Sequence, residues 1–161
     1  MKQNEPKLIQ VYERLFVRGH TLGIKPDVML RVLQRHDVRA VVNVSLRKDA
    51  DLEAAGRLIG LVYRYAPMSD SRLVDVAAVR LLAADVARYM LGGGVVVHCD
   101  SGRNRSLLVV ALALRASTVL TPAQIVQQLR SARPDALANK TFEAFVLTDG
   151  ASAPPTLFQE S

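Results

Sequence analysis

The sequence predicts an α/β layer fold, with a central, mostly parallel sheet of about four to five strands flanked by helices. Three observations carry that expectation. Short β-branched runs recur along the chain and alternate with longer segments of helical apolar spacing. One helical segment, RSLLVVALALRAS (105–117), is apolar almost all round, which suits the centre of a layered core. The 161 residues, half of them apolar, are enough for a single domain with one core.

The elements follow in order. The start (1–10) reads as a loose tail, and the ordered core is expected from about residue 12 to 149. RLFVRG (14–19) is a short strand. PDVMLRVLQRHD (26–37) is a helix, with Pro26 suited to its first turn. RAVVNVS (39–45) is β-branched and too short for a helix. DLEAAGRLIGL (51–61) has helical spacing, and VYRYAPM (62–68) alternates as a strand does. LVDVAAVRLLAADVARYML (73–91) is a long amphipathic helix stopped by Gly92, Gly93 and Gly94. VVVHC (95–99) reads as a fully buried strand leading into the apolar helix 105–117. Thr121 followed by Pro122 opens a helix over 122–133, and KTFEAFVLTD (140–149) is the last one. Pro154 and Pro155 disfavour a helix in the tail 151–161.

Composition narrows the function. The formal charge is +6, which favours anionic partners such as phosphorylated molecules, nucleic acid or a membrane surface. Tyr and Phe number four each and Trp is absent, so a single-stranded RNA stacking platform is disfavoured. One Cys excludes an internal disulfide framework. The polar N-terminus has no signal-peptide core, and no apolar run reaches the roughly 18 residues of a membrane span. A cytoplasmic protein with a reduced thiol is the expectation.

That single thiol stands in VVVHCDSGRNRS (95–106), at the end of a buried strand. The backbone must turn sharply before the helix at Arg105, and Gly102 permits the turn. A loop entering a helix N-terminus aims several N–H groups at one spot, with the helix dipole adding positive character. Residues Asp100, Ser101, Gly102, Arg103, Asn104 and Arg105 would form this anion cradle, with Cys99 at its base. Helix N-termini and nearby cations lower a thiol's pKa to between about 3.5 and 7.5, which makes the thiolate available at neutral pH. Arg105 supplies a fork matching two phosphate oxygens. Ser106 can donate to the sulfur, and His98 can orient the loop by hydrogen bonding. The Asp100 side chain is expected to turn away from a bound phosphate. Inert readings are also open: Cys99 as a buried thiol, His98 as a core histidine, Ser106 as a helix-start hydroxyl.

In register, these residues read HC-x2-G-x2-RS, a CX5R motif. This resembles the signature of the cysteine-based protein tyrosine phosphatases, in particular the small, atypical dual-specificity branch. The resemblance runs from about residue 12 to 149. It implies a phosphatase-like sheet fold and a two-step, cofactor- and metal-independent hydrolysis. Cys99 attacks phosphorus, Arg105 holds the phosphoryl oxygens, Ser106 assists turnover, and an Asp protonates the leaving oxygen. Asp70, in the loop after strand 62–68 and 29 residues before Cys99, occupies the place of that acid. Asp75 is its rival, although Asp70 or Ser71 could instead cap the long helix and Asp75 could sit in its first turn facing the dipole.

The resemblance implies phosphorylated protein as substrate, at Tyr and at Ser or Thr, because no segment that would deepen the pocket is evident. Arg103, a second cation in the loop, would suit a polyanion such as an inositol phosphate, a phosphoinositide or an RNA 5′ end; a solvated surface Arg is the plain alternative. Asn104 resembles the loops of RNA triphosphatase-like members. Arg47 and Lys48 could flank the entrance. Two other readings stay open, a rhodanese-like sulfur transferase and a phosphate-binding module without turnover. The sulfur transferase needs neither an upstream acid such as Asp70 nor Ser106, and intact Cys99 and Arg105 with a plausible Asp argue against the module.

Overall fold

Residues 5–71 and 75–148 are described in a computed structural model of the chain. Among them are strands β1 (Ile9–Tyr12), β2 (Leu15–Arg18), β3 (Val38–Asn43), β4 (Val62–Tyr65) and β5 (Gly94–His98). The helices are α1 (Pro26–Arg35), α2 (Ala50–Arg57), α3 (Val76–Tyr89), α4 (Arg105–Ser117), α5 (Pro122–Ala132) and α6 (Lys140–Thr148). The strands form one sheet in the order β1-β2-β5-β3-β4. β1 runs antiparallel to β2, and every other pair is parallel.

Alternation along the strands divides the core in two, because successive side chains leave opposite faces of a sheet. Leu15, Val17, Ala40, Val42, Val95 and Val97 join the larger core with residues of α3, α4, α5 and α6. Phe16, Val41 and Val96 join a smaller core with Met29 and Leu33 of α1 and Leu52 of α2. Ten consecutive residues of α4, Arg105 to Leu114, are buried, as its unbroken apolar run predicts. The helix is enclosed by the sheet on one side and by α3, α5 and α6 on the others.

Helix starts follow local chemistry. Asp49 caps α2 by accepting from Leu52 N–H, so the helix begins one residue earlier than its apolar spacing suggests. Thr121 and Gln124 form a reciprocal capping box on α5. Asp75 caps α3 by accepting from Ala78 N–H at 2.9 Å, where the sequence offered Asp70 or Ser71 as the cap and placed Asp75 in the first turn. Residues 73 and 74, expected in this helix, lie outside the described residues, as do 149 and the tail 151–161.

Two expectations are corrected. The stretch 51–61 is not helical throughout: α2 ends at Arg57, and Gly60, at φ +77°, turns the chain toward β4. The stretch 1–10 is not all tail, because Ile9 and Gln10 begin β1. IQVY is too short to stand out in a sequence, and its pairing with β2 makes it a strand.

Leu108 is fully buried at the centre of the larger core. Leu108→Ala is expected to destabilise by about 2–5 kcal/mol. Leu58→Ala, at a side chain 88% exposed, is expected to stay within about 0.5 kcal/mol. Urea unfolding of the two variants checks the contrast.

Candidate active site

The parallel strands β2, β5 and β3 end together, and the loop 99–104 leaves β5 at that edge to enter α4. Its turn depends on Gly102, which has φ +68°. A Cβ at this position would stand 2.7 Å from the Arg18 carbonyl carbon and 2.8 Å from its oxygen. The loop is therefore packed against the backbone at the end of β2. Two hydrogen bonds reinforce the contact, from Cys99 N–H to Arg18 O and from His20 N–H to Asp100 O, each 3.3 Å.

Cys99 is buried at the base of this loop. Its sulfur accepts from Gly102 N–H at 3.2 Å and lies 3.4 Å from Ser106 Oγ, itself fully buried. Arg105, the first residue of α4, is 4% exposed. Its Nη2 meets Asp100 Oδ2 at 2.6 Å, and its Nη1 donates to Met68 O at 3.3 Å. Its Nε faces Asp70 Oδ1 at 3.5 Å, an ion pair outside hydrogen-bonding geometry. Thus the Asp70 loop and the cradle meet at one guanidinium. Asp75, engaged at the start of α3, makes no such contact among the described residues.

The Asp100 side chain faces the guanidinium that a phosphate would take. It is drawn to the Arg105 guanidinium because a cation removed from water needs a counter-charge close by. Arg103 is half-exposed, with its guanidinium 3.9 Å from Asp135. Its carbonyl accepts from Leu137 N–H. Asn104 is largely buried, and its Oδ1 accepts from Asn139 N–H at 2.8 Å. Ser101 sits exposed on the loop. Arg47 and Lys48 are exposed after β3, with Lys48 paired to Glu53 at 2.7 Å.

His98 is buried, and neither ring nitrogen has a hydrogen-bond partner among the described residues. The orienting hydrogen bond expected of its ring is therefore not found there. Its backbone does the holding, since its carbonyl accepts from Val44 N–H at 2.9 Å. Burial lowers the imidazole pKa to about 4; the Asp49 and Asp100 charges oppose the shift and Arg18 adds to it.

Behind the cradle lies a polar cluster built around Asn43. Asn43 Oδ1 accepts from both the amide and the hydroxyl of Ser45, at 2.9 and 2.7 Å. Asn43 Nδ2 donates to Arg47 O at 2.8 Å and to Tyr63 Oη at 3.0 Å. Tyr63 Oη also accepts from Asp49 N–H, and Thr21 Oγ1 donates to Asp49 Oδ2. Burial raises the Tyr63 pKa. Asn43 at the end of an apolar strand was the available signal, since a buried amide must find partners.

No protein-family model and no curated protein matches the chain. Solved structures do match, and they are small dual-specificity phosphatases. A single-substitution form of human DUSP28 is 28% identical, covering 90% of this chain and 94% of that one, with a TM-score of 0.72. Human DUSP28 itself gives 26% identity, 90% and 93% coverage and a TM-score of 0.69. DUSP15 is 20% identical over 96% of this chain and 98% of its own, with a TM-score of 0.73. The fold is therefore that of the dual-specificity phosphatases. Among the described residues, no helix is long and apolar enough to cross a membrane.

The depressed His98 pKa has a consequence for stability. The unfolded chain takes up a proton near pH 6.5 and the folded chain only near pH 4. The stabilisation is complete above pH 6.5 and is lost as pH falls toward 4, by about 3 kcal/mol. Urea midpoints between pH 7 and 4 should show this slope, and His98→Asn should flatten it.

Proposed function

We propose that the protein is a cysteine-dependent phosphomonoester hydrolase acting on phosphorylated protein, at Tyr and at Ser or Thr. The observation that supports this reading is the convergence on one cradle of a buried thiol, a buried guanidinium and a carboxylate from a separate loop. An inert thiol would need neither of the other two. A sulfur transferase would need no carboxylate opposite the cradle.

The chemistry proceeds in two displacements. Phosphoryl oxygens take the Arg105 fork and the loop amides, displacing the carboxylates that face the guanidinium. The Cys99 thiolate then attacks phosphorus, forming an S–P bond as the P–O bond to the leaving group breaks. Asp70, released from the guanidinium and carrying a proton taken up from solvent, gives that proton to the departing oxygen, a transfer worth typically 10² to 10⁴ in rate. Water next attacks the phosphocysteine; the Asp70 carboxylate takes the water's proton, the S–P bond breaks, and phosphate leaves with the thiolate restored. Ser106 Oγ, 3.4 Å from the sulfur, donates to that thiolate as it departs. No cofactor enters these steps.

Arg103 is half-exposed and 3.9 Å from Asp135, and a second phosphate could displace that carboxylate as the first does at Arg105, so a polyanionic substrate is the alternative reading. Screening phosphopeptides against inositol phosphates, phosphoinositides and RNA 5′ ends tests this choice, and a preference for multiply phosphorylated small molecules would reverse it.

Three outcomes are expected in solution. Cys99→Ser should bind phosphopeptides yet retain less than about a hundredth of wild-type hydrolysis, read with p-nitrophenyl phosphate. Asp70→Ala should lower kcat by about 10² or more for alkyl phosphates and far less for activated aryl esters. Asp100→Asn should tighten vanadate inhibition about fivefold, the worth of a pair near 1 kcal/mol with one exposed partner. Equal inhibition of both forms would show that Asp100 does not compete with the oxyanion.

A further inference from the structure

We propose that Asn139 is a positioning residue for the general acid, fixing the Asp70 loop to the phosphate cradle; this rests on the role proposed above for Asp70. Asn139 lies just before α6, far in sequence from both. Its Nδ2 donates to the Asp70 carbonyl at 2.8 Å. Its own N–H donates to Asn104 Oδ1, also at 2.8 Å, and Asn104 belongs to the cradle. One residue thus holds the acid's backbone with its side chain and the cradle with its main chain.

The segment carrying Asn139 is itself anchored. Leu137 is fully buried and has φ +55°, a left-handed conformation that strains a residue with a Cβ. Its N–H donates to Arg103 O at 2.9 Å, a second bond to the cradle. On the far side, Arg130 holds the Ala136 carbonyl at 3.1 Å and pairs with Glu143 of α6.

The acid loop is held more lightly. Its last backbone bond toward the sheet is from Met68 N–H to Val44 O, one residue past β3, at 3.1 Å. Past Met68, among the described residues, the tie from this backbone to another element is the one from Asn139. The Asp70 side chain is 62% exposed and meets Arg105 only at 3.5 Å, so packing does not fix it. Proton transfer to a leaving oxygen requires hydrogen-bond reach, and a misplacement of about 1 Å can cost on the order of 10²-fold.

Asn139 has a structural duty that must be separated from this one. Its Oδ1 caps α6, accepting from Thr141 N–H at 2.9 Å and Phe142 N–H at 3.3 Å. Asn139→Asp keeps that acceptor, and Asp is as good a cap as Asn, but it removes the donor to Asp70. Asn139→Ala removes both and reports the cost of the cap in its melting temperature.

The test compares kcat/KM across esters of rising leaving-group pKa. Asn139→Asp should melt with wild type, retain activity on activated aryl phosphates, and lose on the order of 10²-fold on alkyl phosphates. In an Asp70→Ala background the same substitution should have no further effect, because it acts through Asp70. Amide exchange from Ser69 to Ser71 should rise about tenfold, with α6 unchanged. A wild-type leaving-group dependence, or an undiminished effect without Asp70, overturns the proposal. If Asp70→Ala itself leaves that dependence unchanged, the acid assignment fails, and with it Asn139's role in placing an acid. Exchange then reads the tether alone, and an unchanged rate refutes that too.

Discussion

A guanidinium that is almost fully removed from water dominates this structure. A charge in that position is costly unless anions and carbonyls close around it. Arg105 recruits Asp100 from the loop beside the thiol, Asp70 from the loop after β4, and the Met68 carbonyl. Those partners come from separate stretches of chain, so satisfying one cation brings the acid loop and the cradle together. The carboxylates are half-exposed or more and can be exchanged for an incoming oxyanion. The interaction that organises the free site is thus the one a phosphate would take over.

The two sides of the site are held by different means. The cradle is set by close backbone contact, with Gly102 against the Arg18 carbonyl and α4 buried along ten residues. The strand ends behind it are tied by the buried amide of Asn43, the hydroxyls of Ser45 and Tyr63 and the Asp49 carboxylate. Such a network stays favourable only when nearly every member is satisfied, which makes it a rigid support. His98 is the exception, a buried ring kept neutral without partners among the described residues. The acid loop hangs by fewer bonds, consistent with a group that must approach a substrate from outside.

Much of this was legible in the sequence because the signals are local. A run of three valines before His98 marks a strand buried on both faces, and the apolar stretch from Arg105 onward marks the central helix. Gly102 between them announces a turn that glycine permits, and its φ of +68° agrees. Thr121-Pro122 marks a helix start, and the capping box is there. What was misread depends on distant partners. β1 is a strand because β2 lies beside it. Asp75 rather than Asp70 caps α3, a choice that geometry makes between equivalent carboxylates.

From sequence alone came the alternation of strands and helices, the lone thiol at a strand end, and the spacing of Gly and Arg after it. These follow from periodicity and from backbone constraints acting over a few residues. Only the tertiary structure decided which carboxylates face the guanidinium and that Asn139, 40 residues beyond Cys99, reaches the Asp70 carbonyl. The reason is physical: a polar side chain accepts many partners equally well, and the one it takes is chosen by what the folded chain brings within about 3 Å.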